Sequence, residues 1–370
     1  MSICIFDMIT NKCKGIVTVK VKKIAVIGHF GGKESFYDGQ TIKTKILHDE
    51  LAAATDWKII KVDTYYKRKN PLKLLCQTVW ALFTARDIVV LLSKQGRRLY
   101  FPLLYFFARA FGTRVYHSLI GSKLDSDVAE YPVFKKYLNG FVVNWVETSL
   151  LRTNLEKHGV TNARVMPNFK RLNVIDGAQL PESFEPPYRF CTFSRVMKEK
   201  GIEDAVFTVE KINQEAGKTV CALDIYGKVD EGYETRFAEL MAGVSDAVTY
   251  RGIVPFDKSV EAIREYYALL FPTYWRGEGF AGTIVDAFSA GLPVIATDWN
   301  CNGEIVENGV TGLLYPSAQY QSLEEAVRWV IENPAAVGRM KKQCVQAALD
   351  YQPEKFMDEI VKTIETGRTE

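Results

Sequence analysis

Between Leu269 and Ala296 the chain reads as buried strand, loop, helix and buried strand, a βαβ unit that commits this half to a parallel sheet with crossover helices. Leu269-Leu270-Phe271 closes the first strand, and Pro272 to Gly279 forms the loop. The helix runs from about Ala281 to Ala290, Gly291 is the left-handed residue that stops it, and Pro293-Val294-Ile295-Ala296 is the next strand. The small residues Gly279, Ala281 and Gly282 let a ligand approach backbone N–H groups at the positive end of the helix dipole, a setting that suits phosphate. Glu278 lies just before that start, and Asp286 lies about 7–8 Å beyond it at ~1.5 Å of rise per residue. Two carboxylates so placed can reach hydroxyls on either side of a bound diphosphate, which fits a nucleotide-sugar. With no ligand, the same residues make the acidic first turn of an ordinary helix, stabilised by its dipole.

Glu278-Gly279-Phe280, Asp286 and Ala290-Gly291-Leu292-Pro293-Val294-Ile295-Ala296 resemble, in one unbroken register, the signature of the family-4 retaining glycosyltransferases of GT-B fold. The resemblance implies an α/β chain with two Rossmann-like parallel-sheet domains facing each other across a crevice. It places Glu278 near the donor's sugar hydroxyls and Asp286 on the nucleotide ribose, with Gly279, Phe280, Ala281, Gly282 and Thr283 as further donor-binding positions. Asp286 departs from the family pattern, which has a glutamate there. Aspartate still accepts hydrogen bonds from a diol but is one methylene shorter.

Upstream, the strand Arg189–Phe193 leads into Ser194-Arg195-Val196-Met197-Lys198-Glu199-Lys200-Gly201, which resembles the family's arginine and lysine pair. Cleaving a glycosyl diphosphate leaves a dianionic nucleotide, and two fixed cations stabilise that developing charge without a metal. Arg195 can bind phosphate oxygens bidentately while Lys200 acts as a point charge. The plainer reading is two solvated basic residues after a strand. Gly31-Gly32, following the strand Ile24–Ile27, resembles the glycine loop that family members set against donor phosphates; otherwise the two glycines only permit a tight bend. Gly28, Gly31 and Gly32 do not make a G-x-G-x-x-G fingerprint, so a dinucleotide cofactor is not expected. The resemblance implies that the loops after the strands Leu223–Tyr226 and Val248–Gly252 border the base, which makes Gly227 and Arg251-Gly252-Ile253-Val254 candidates for base contacts. By resemblance, His117 on the strand Arg114–Leu119 lies beside donor sugar and acceptor; the alternative is a neutral core histidine.

Domain organisation follows from the same pattern. Residues 1–20 are expected to be an appendage, 21–180 an acceptor-side domain, 188–350 a donor-binding domain, and 351–370 a helix that the resemblance implies crosses back to the first domain. Further strands are expected at Trp57–Val62, Ile88–Leu92, Gly140–Val143 and Ala163–Met166. The composition, 47% hydrophobic and 25% charged, is that of a globular protein. Seven scattered cysteines with no C-x-x-C spacing argue against a disulfide framework or zinc site and favour a reducing compartment, hence a cytoplasmic protein. Asp125-Ser126-Asp127 is expected to be a solvated loop or helix cap, and no metal is expected to bind there.

Positive charge is concentrated between Tyr65 and Arg114, where ten basic residues face the single acid Asp87, although the whole chain carries only +3. Aromatic residues interleave with them. Basic and aromatic segments of this kind lie at the interface of anionic membranes, so Lys67, Arg68, Lys69, Arg97 and Arg98 are expected to face a membrane and acceptor surface. The alternative is an ordinary basic face over a core of aromatics. RNA would suit the same charge, but no nucleic-acid motif is present. The resemblance implies metal-independent, cofactor-free transfer, with retention of configuration, of a sugar from a nucleotide-diphosphate donor to a lipid-linked glycan of a bacterial capsule, exopolysaccharide or O-antigen. The basic surface places that transfer at the inner face of the membrane. A nucleotide-sugar epimerase and a catalytically silent glycan-assembly partner are the rivals.

Overall fold

The computed structural model describes residues 21–34, 39–181, 183–316 and 320–369, so the appendage expected at 1–20 lies outside the described residues. Two six-stranded, wholly parallel sheets make up the frame. The first contains β1 (Lys23–Gly28), β2 (Lys58–Asp63), β3 (Asp87–Leu91), β4 (Arg114–Ser118), β5 (Val143–Val146) and β6 (Ala163–Val165), in the order β2-β1-β3-β4-β5-β6. The second contains β7 (Tyr188–Phe193), β8 (Cys221–Tyr226), β9 (Val248–Gly252), β10 (Ala268–Phe271), β11 (Val294–Asp298) and β12 (Gly312–Pro316), in the order β12-β11-β10-β7-β8-β9.

In each sheet the chain builds outward from its first strand in one direction and then returns to that strand's other side. The strand order therefore reverses between β1 and β3 and again between β7 and β10. Crevices open beyond the carboxyl ends of strands at such reversals, where side chains from neighbouring loops can converge on a ligand. The segments leaving β7 and β10 are Ser194–Gly201 and Pro272–Ala281.

Helices cover both faces of the first sheet. On one face, Ala25, Ile27, Ile88, Val90 and Val115 meet Leu74, Phe101, Leu104 and Phe134. On the other, Ile24, Val26, Val89 and Tyr116 meet Leu47 and Leu51 of Gly39–Ala54 together with Met357, Ile360 and Ile364 of Glu354–Thr366. Those last three residues recur at helical spacing and give the final helix one apolar stripe, which it buries against the first sheet. Its end is tied down where the Ile364 carbonyl accepts from Lys22 Nζ at 2.7 Å and from Arg114 at 3.1 Å.

Two expectations shift. The fifth strand forms three residues later than the expected Gly140–Val143, because Asn139 and Gly140 close the preceding helix through hydrogen bonds to Lys135 and Tyr137. The proline-bearing segment Arg171–Tyr188, which from its sequence reads as a loop-like interdomain linker, is in part packed onto the second domain. Leu172, Val174 and Ile175 pack on the second domain's core, and the Ile175 N–H donates to the Ser289 carbonyl at 2.9 Å.

Candidate functional site

The loop leaving β7 and the loop leaving β10 bring the predicted cations to the predicted carboxylate. Lys200 is buried and its ammonium bonds Oε2 of Glu278, also buried; the Thr273 hydroxyl donates to the same oxygen at 2.9 Å. Burial draws the Lys200 pKa below the usual lysine value; the Glu278 charge opposes that shift, and nearby Arg195 adds to it. Arg195 is half exposed, pairs with Asp230 at 3.2 Å, and lies with its guanidinium 5.1 Å from the Trp275 ring centroid. Lys200 Nζ is 5.2 Å from the same ring, so Trp275 is an aromatic platform under both cations. The sequence reading did not single out Trp275.

The helix Gly282–Ser289 begins beside this cluster, and no side chain caps its start. Thr283 uses its hydroxyl to bind the Phe193 carbonyl, which fixes the helix to the end of β7. Asp286, one turn in, is buried; its carboxylate accepts from Lys170 Nζ at 2.7 Å and from the Ser259 hydroxyl at 2.8 Å. Lys170 passes along the helix start, with Nζ 3.2 Å from where a Cβ on Gly282 would lie. A glycine there makes room for it. Gly227 has φ 139°, and a Cβ on it would fall 1.7 Å from the Ser194 carbonyl oxygen. It thus buttresses the turn that carries Arg195.

Three expectations are corrected. Arg97 does not face a membrane: it is 4% exposed, and its guanidinium bonds the Leu92 carbonyl and the carboxylate of buried Asp127. Asp127 is accordingly no solvated loop residue. Helical spacing places Arg97 on the same inward stripe as Tyr100, Phe101 and Leu104, whereas Arg98 is exposed and stacks over Tyr131 at 4.8 Å. In the glycine loop, Gly31 and Gly32 take φ of 85° and 60°, but the N–H groups of Phe30 and Gly32 both donate to Asp63 at 2.9 Å. A carboxylate of the chain itself occupies those two donors.

His117, the third correction, is fully buried against the Phe101 ring at 5.1 Å, with Nδ1 3.2 Å from Asn144 Oδ1 and no partner for Nε2. It points into the helix-covered core and not into the crevice. Burial, with Arg97 adding to it, lowers its pKa from 6.5 to about 3. The unfolded chain therefore binds a proton here that the folded chain refuses. Stability from the neutral ring is complete above pH 6.5 and is lost as pH falls toward 3. At pH 4.5 the loss is about 3 kcal/mol. His117→Leu should lose correspondingly less stability between pH 7 and pH 4.5 in urea unfolding; equal losses in both proteins would place a solvated histidine at this position.

The chain is similar to known proteins in the sequence of its second half and in its fold. Residues 179–349, which hold the whole Arg195–Lys200–Glu278–Asp286 cluster, match the family model of Glycosyl transferases group 1. The amylovoran biosynthesis glycosyltransferase AmsK of Erwinia amylovora is 24% identical over 172 residues, covering 45% of this chain and 40% of that protein. The chain thus matches less than half the length of this curated relative. The sucrose-phosphate synthase of Thermosynechococcus elongatus superposes with a TM-score of 0.73 at 18% identity, covering 94% of this chain and all of that one. Anabaena HepE, solved in complex with UDP and glucose, superposes with a TM-score of 0.72 at 14% identity over 93% of this chain. The two-sheet frame is a GT-B fold.

Proposed function

We propose that the chain is a retaining glycosyltransferase that moves a sugar from a nucleoside-diphosphate donor to a hydroxyl of a lipid-linked glycan. The observation that carries this reading is the meeting of Arg195, Lys200 and Glu278 around Trp275, beside a helix start that no side chain caps. In this reading the diphosphate lies against the start of Gly282–Ser289, and Arg195 and Lys200 take up the charge that develops as the sugar C1–O bond breaks. Glu278 orients the sugar, and Asp286 retains acceptor capacity for ribose hydroxyls beyond its bonds to Lys170 and Ser259. The acceptor oxygen bonds to C1 on the face the phosphate leaves, and its proton passes to the departing phosphate oxygen. Configuration is thereby retained with no covalent enzyme intermediate, and two fixed cations supply the charge stabilisation with no metal required. A thermal-shift panel of nucleotide-sugars tests the reading. A true donor at ~100 times its dissociation constant adds about 2.7 kcal/mol, and no shift with any member contradicts the proposal.

The acceptor's lipid anchor is the second element of the reading. Among the described residues no helix is long and apolar enough to cross a membrane. The helix Pro71–Thr84 nonetheless carries apolar residues on its exposed as well as its buried side. It buries Leu74, Ala81 and Leu82 while leaving Leu72, Trp80 and Phe83 62–69% exposed. Leu99 and Phe106 of the helix Lys94–Phe111 are exposed as well, and Lys67, Arg68, Lys69 and Arg98 add positive charge to the same stretch. An apolar face with a basic border complements an anionic bilayer. Each exposed aromatic that enters the acyl boundary adds about 1.5–3 kcal/mol. Trp80→Ser with Phe83→Ser should therefore weaken binding to anionic vesicles by roughly 10²–10⁴-fold. Co-sedimentation of the parent chain should fall in ~0.5 M salt, where the Debye length drops below about 5 Å. Equal binding to neutral vesicles would remove the basic border from the membrane reading, and binding to neither kind would remove the membrane itself.

A further inference from the structure

Glu147 lies just past the end of β5, on the crevice side of the first sheet, and is 5% exposed. A buried carboxylate is costly unless its lone pairs are filled. Here both oxygens are used. Oε1 bonds Lys43 Nζ at 2.6 Å, and the same ammonium donates to the Leu119 carbonyl at 2.8 Å. Oε2 accepts the backbone N–H of Phe280, in the other domain, at 3.3 Å. The neighbouring Gly279 fits closely against this arrangement: a Cβ there would lie 2.9 Å from Glu147 Oε2 and 3.0 Å from the Gly121 Cα. The next residues along the chain also reach across, since the N–H groups of Ser149 and Leu150 donate to the Glu304 carboxylate at 2.6 and 2.9 Å.

We infer that Glu147, held by Lys43, is a positioning residue that latches the first domain onto the segment Glu278-Gly279-Phe280. Lys43 fixes the carboxylate and, through Leu119, the loop after β4. The carboxylate then fixes the amide two residues beyond Glu278. The orientation of Glu278 toward its ligand is thereby set from the opposite domain, so the site is complete only when the two sheets meet. An ordinary buried ion pair would be satisfied within the first domain. The bond to Phe280 and the clearance at Gly279 are what such a pair does not require. The consequence for catalysis rests on the glycosyl-transfer reading, whereas the latch itself does not.

Amide hydrogen exchange on the full chain separates the two. Glutamine at 147 offers one acceptor oxygen where two donors converge. The charge-assisted Lys43 bond claims it, leaving the glutamine NH₂ against the Phe280 N–H. In Glu147→Gln, peptides spanning Arg276–Ile284 should exchange about 10-fold faster, while those covering β4 and β5 keep the parent rate. In the double variant Lys43→Met with Glu147→Gln, the oxygen is released to accept from Phe280, and exchange should return to within about 3-fold of the parent. Parent-like exchange at Arg276–Ile284 in Glu147→Gln would overturn the latch. So would faster exchange that extends through β4 and β5, or a double variant no slower than the single one. All three outcomes are read without a donor or acceptor, so a failed latch and a failed glycosyl-transfer reading are distinguishable.

Discussion

Arg195→Ala is expected to lower turnover by roughly 10²–10³-fold, the loss that follows removal of a preorganised group aimed at developing charge. Lys200→Met is expected to lose at least as much, and for a compound reason. Lys200 and Glu278 are both buried and bonded to each other, so removing the ammonium also leaves a buried carboxylate without its counter-charge. Breaking one side of such a pair costs about 3–5 kcal/mol of stability. Arg195 is half exposed, and its pair with Asp230 is solvent-screened, so its loss should leave the melting temperature close to the parent's. The expected signature is two variants poor in turnover, Lys200→Met at least as poor as Arg195→Ala, of which only Lys200→Met melts early. Steady-state turnover beside a melting curve checks it, and parent-like rates in both variants would detach the cations from the chemistry.

The carboxylates divide by ligand. Glu278→Gln retains shape and loses charge, so Lys200 keeps only a neutral acceptor and the sugar loses an ionic partner. Turnover should fall by roughly 10²-fold, while affinity for the bare nucleoside diphosphate stays within a few-fold. Asp286→Asn should do the reverse. It preserves an acceptor for Ser259 but gives up the charge that holds Lys170, and hydrogen bonds to a charged group contribute about 1.5–3 kcal/mol. Bare-nucleotide affinity should weaken about 10–100-fold in calorimetry. A Glu278 variant that loses the nucleotide beside an Asp286 variant that keeps it would exchange the two roles.

The second sheet was legible because its buried parallel strands read as uninterrupted apolar runs and its punctuation is strong: Gly201, Gly217 and Gly291 all stand at helix boundaries with positive φ. The order of residues along the loops after β7 and β10 likewise carries the site, since topology alone brings those two loops together. What sequence did not yield were partners fixed only by tertiary contact. Lys43 and Glu147 are 104 positions apart and Lys170 and Asp286 are 116 apart, and no local pattern joins them. Two misplacements were readable in principle. Arg97 falls on the apolar stripe of its own helix, and His117 alternates in phase with Val115 and Leu119, whose side chains lie in the core. In both, a polar residue type outweighed a periodicity that pointed inward.

In the proposed reaction the crevice between the two sheets transfers a sugar out of a nucleotide-sugar. The most direct measurement of that transfer is proton and phosphorus NMR of the chain incubated with whichever nucleotide-sugar raises its melting temperature, with and without a lipid-linked glycan. The account predicts liberated nucleoside diphosphate, a new glycoside whose anomeric configuration matches the donor's, and loss of both signals in Arg195→Ala. Donor that epimerises without releasing nucleoside diphosphate, or donor left intact in the presence of every acceptor offered, would contradict it.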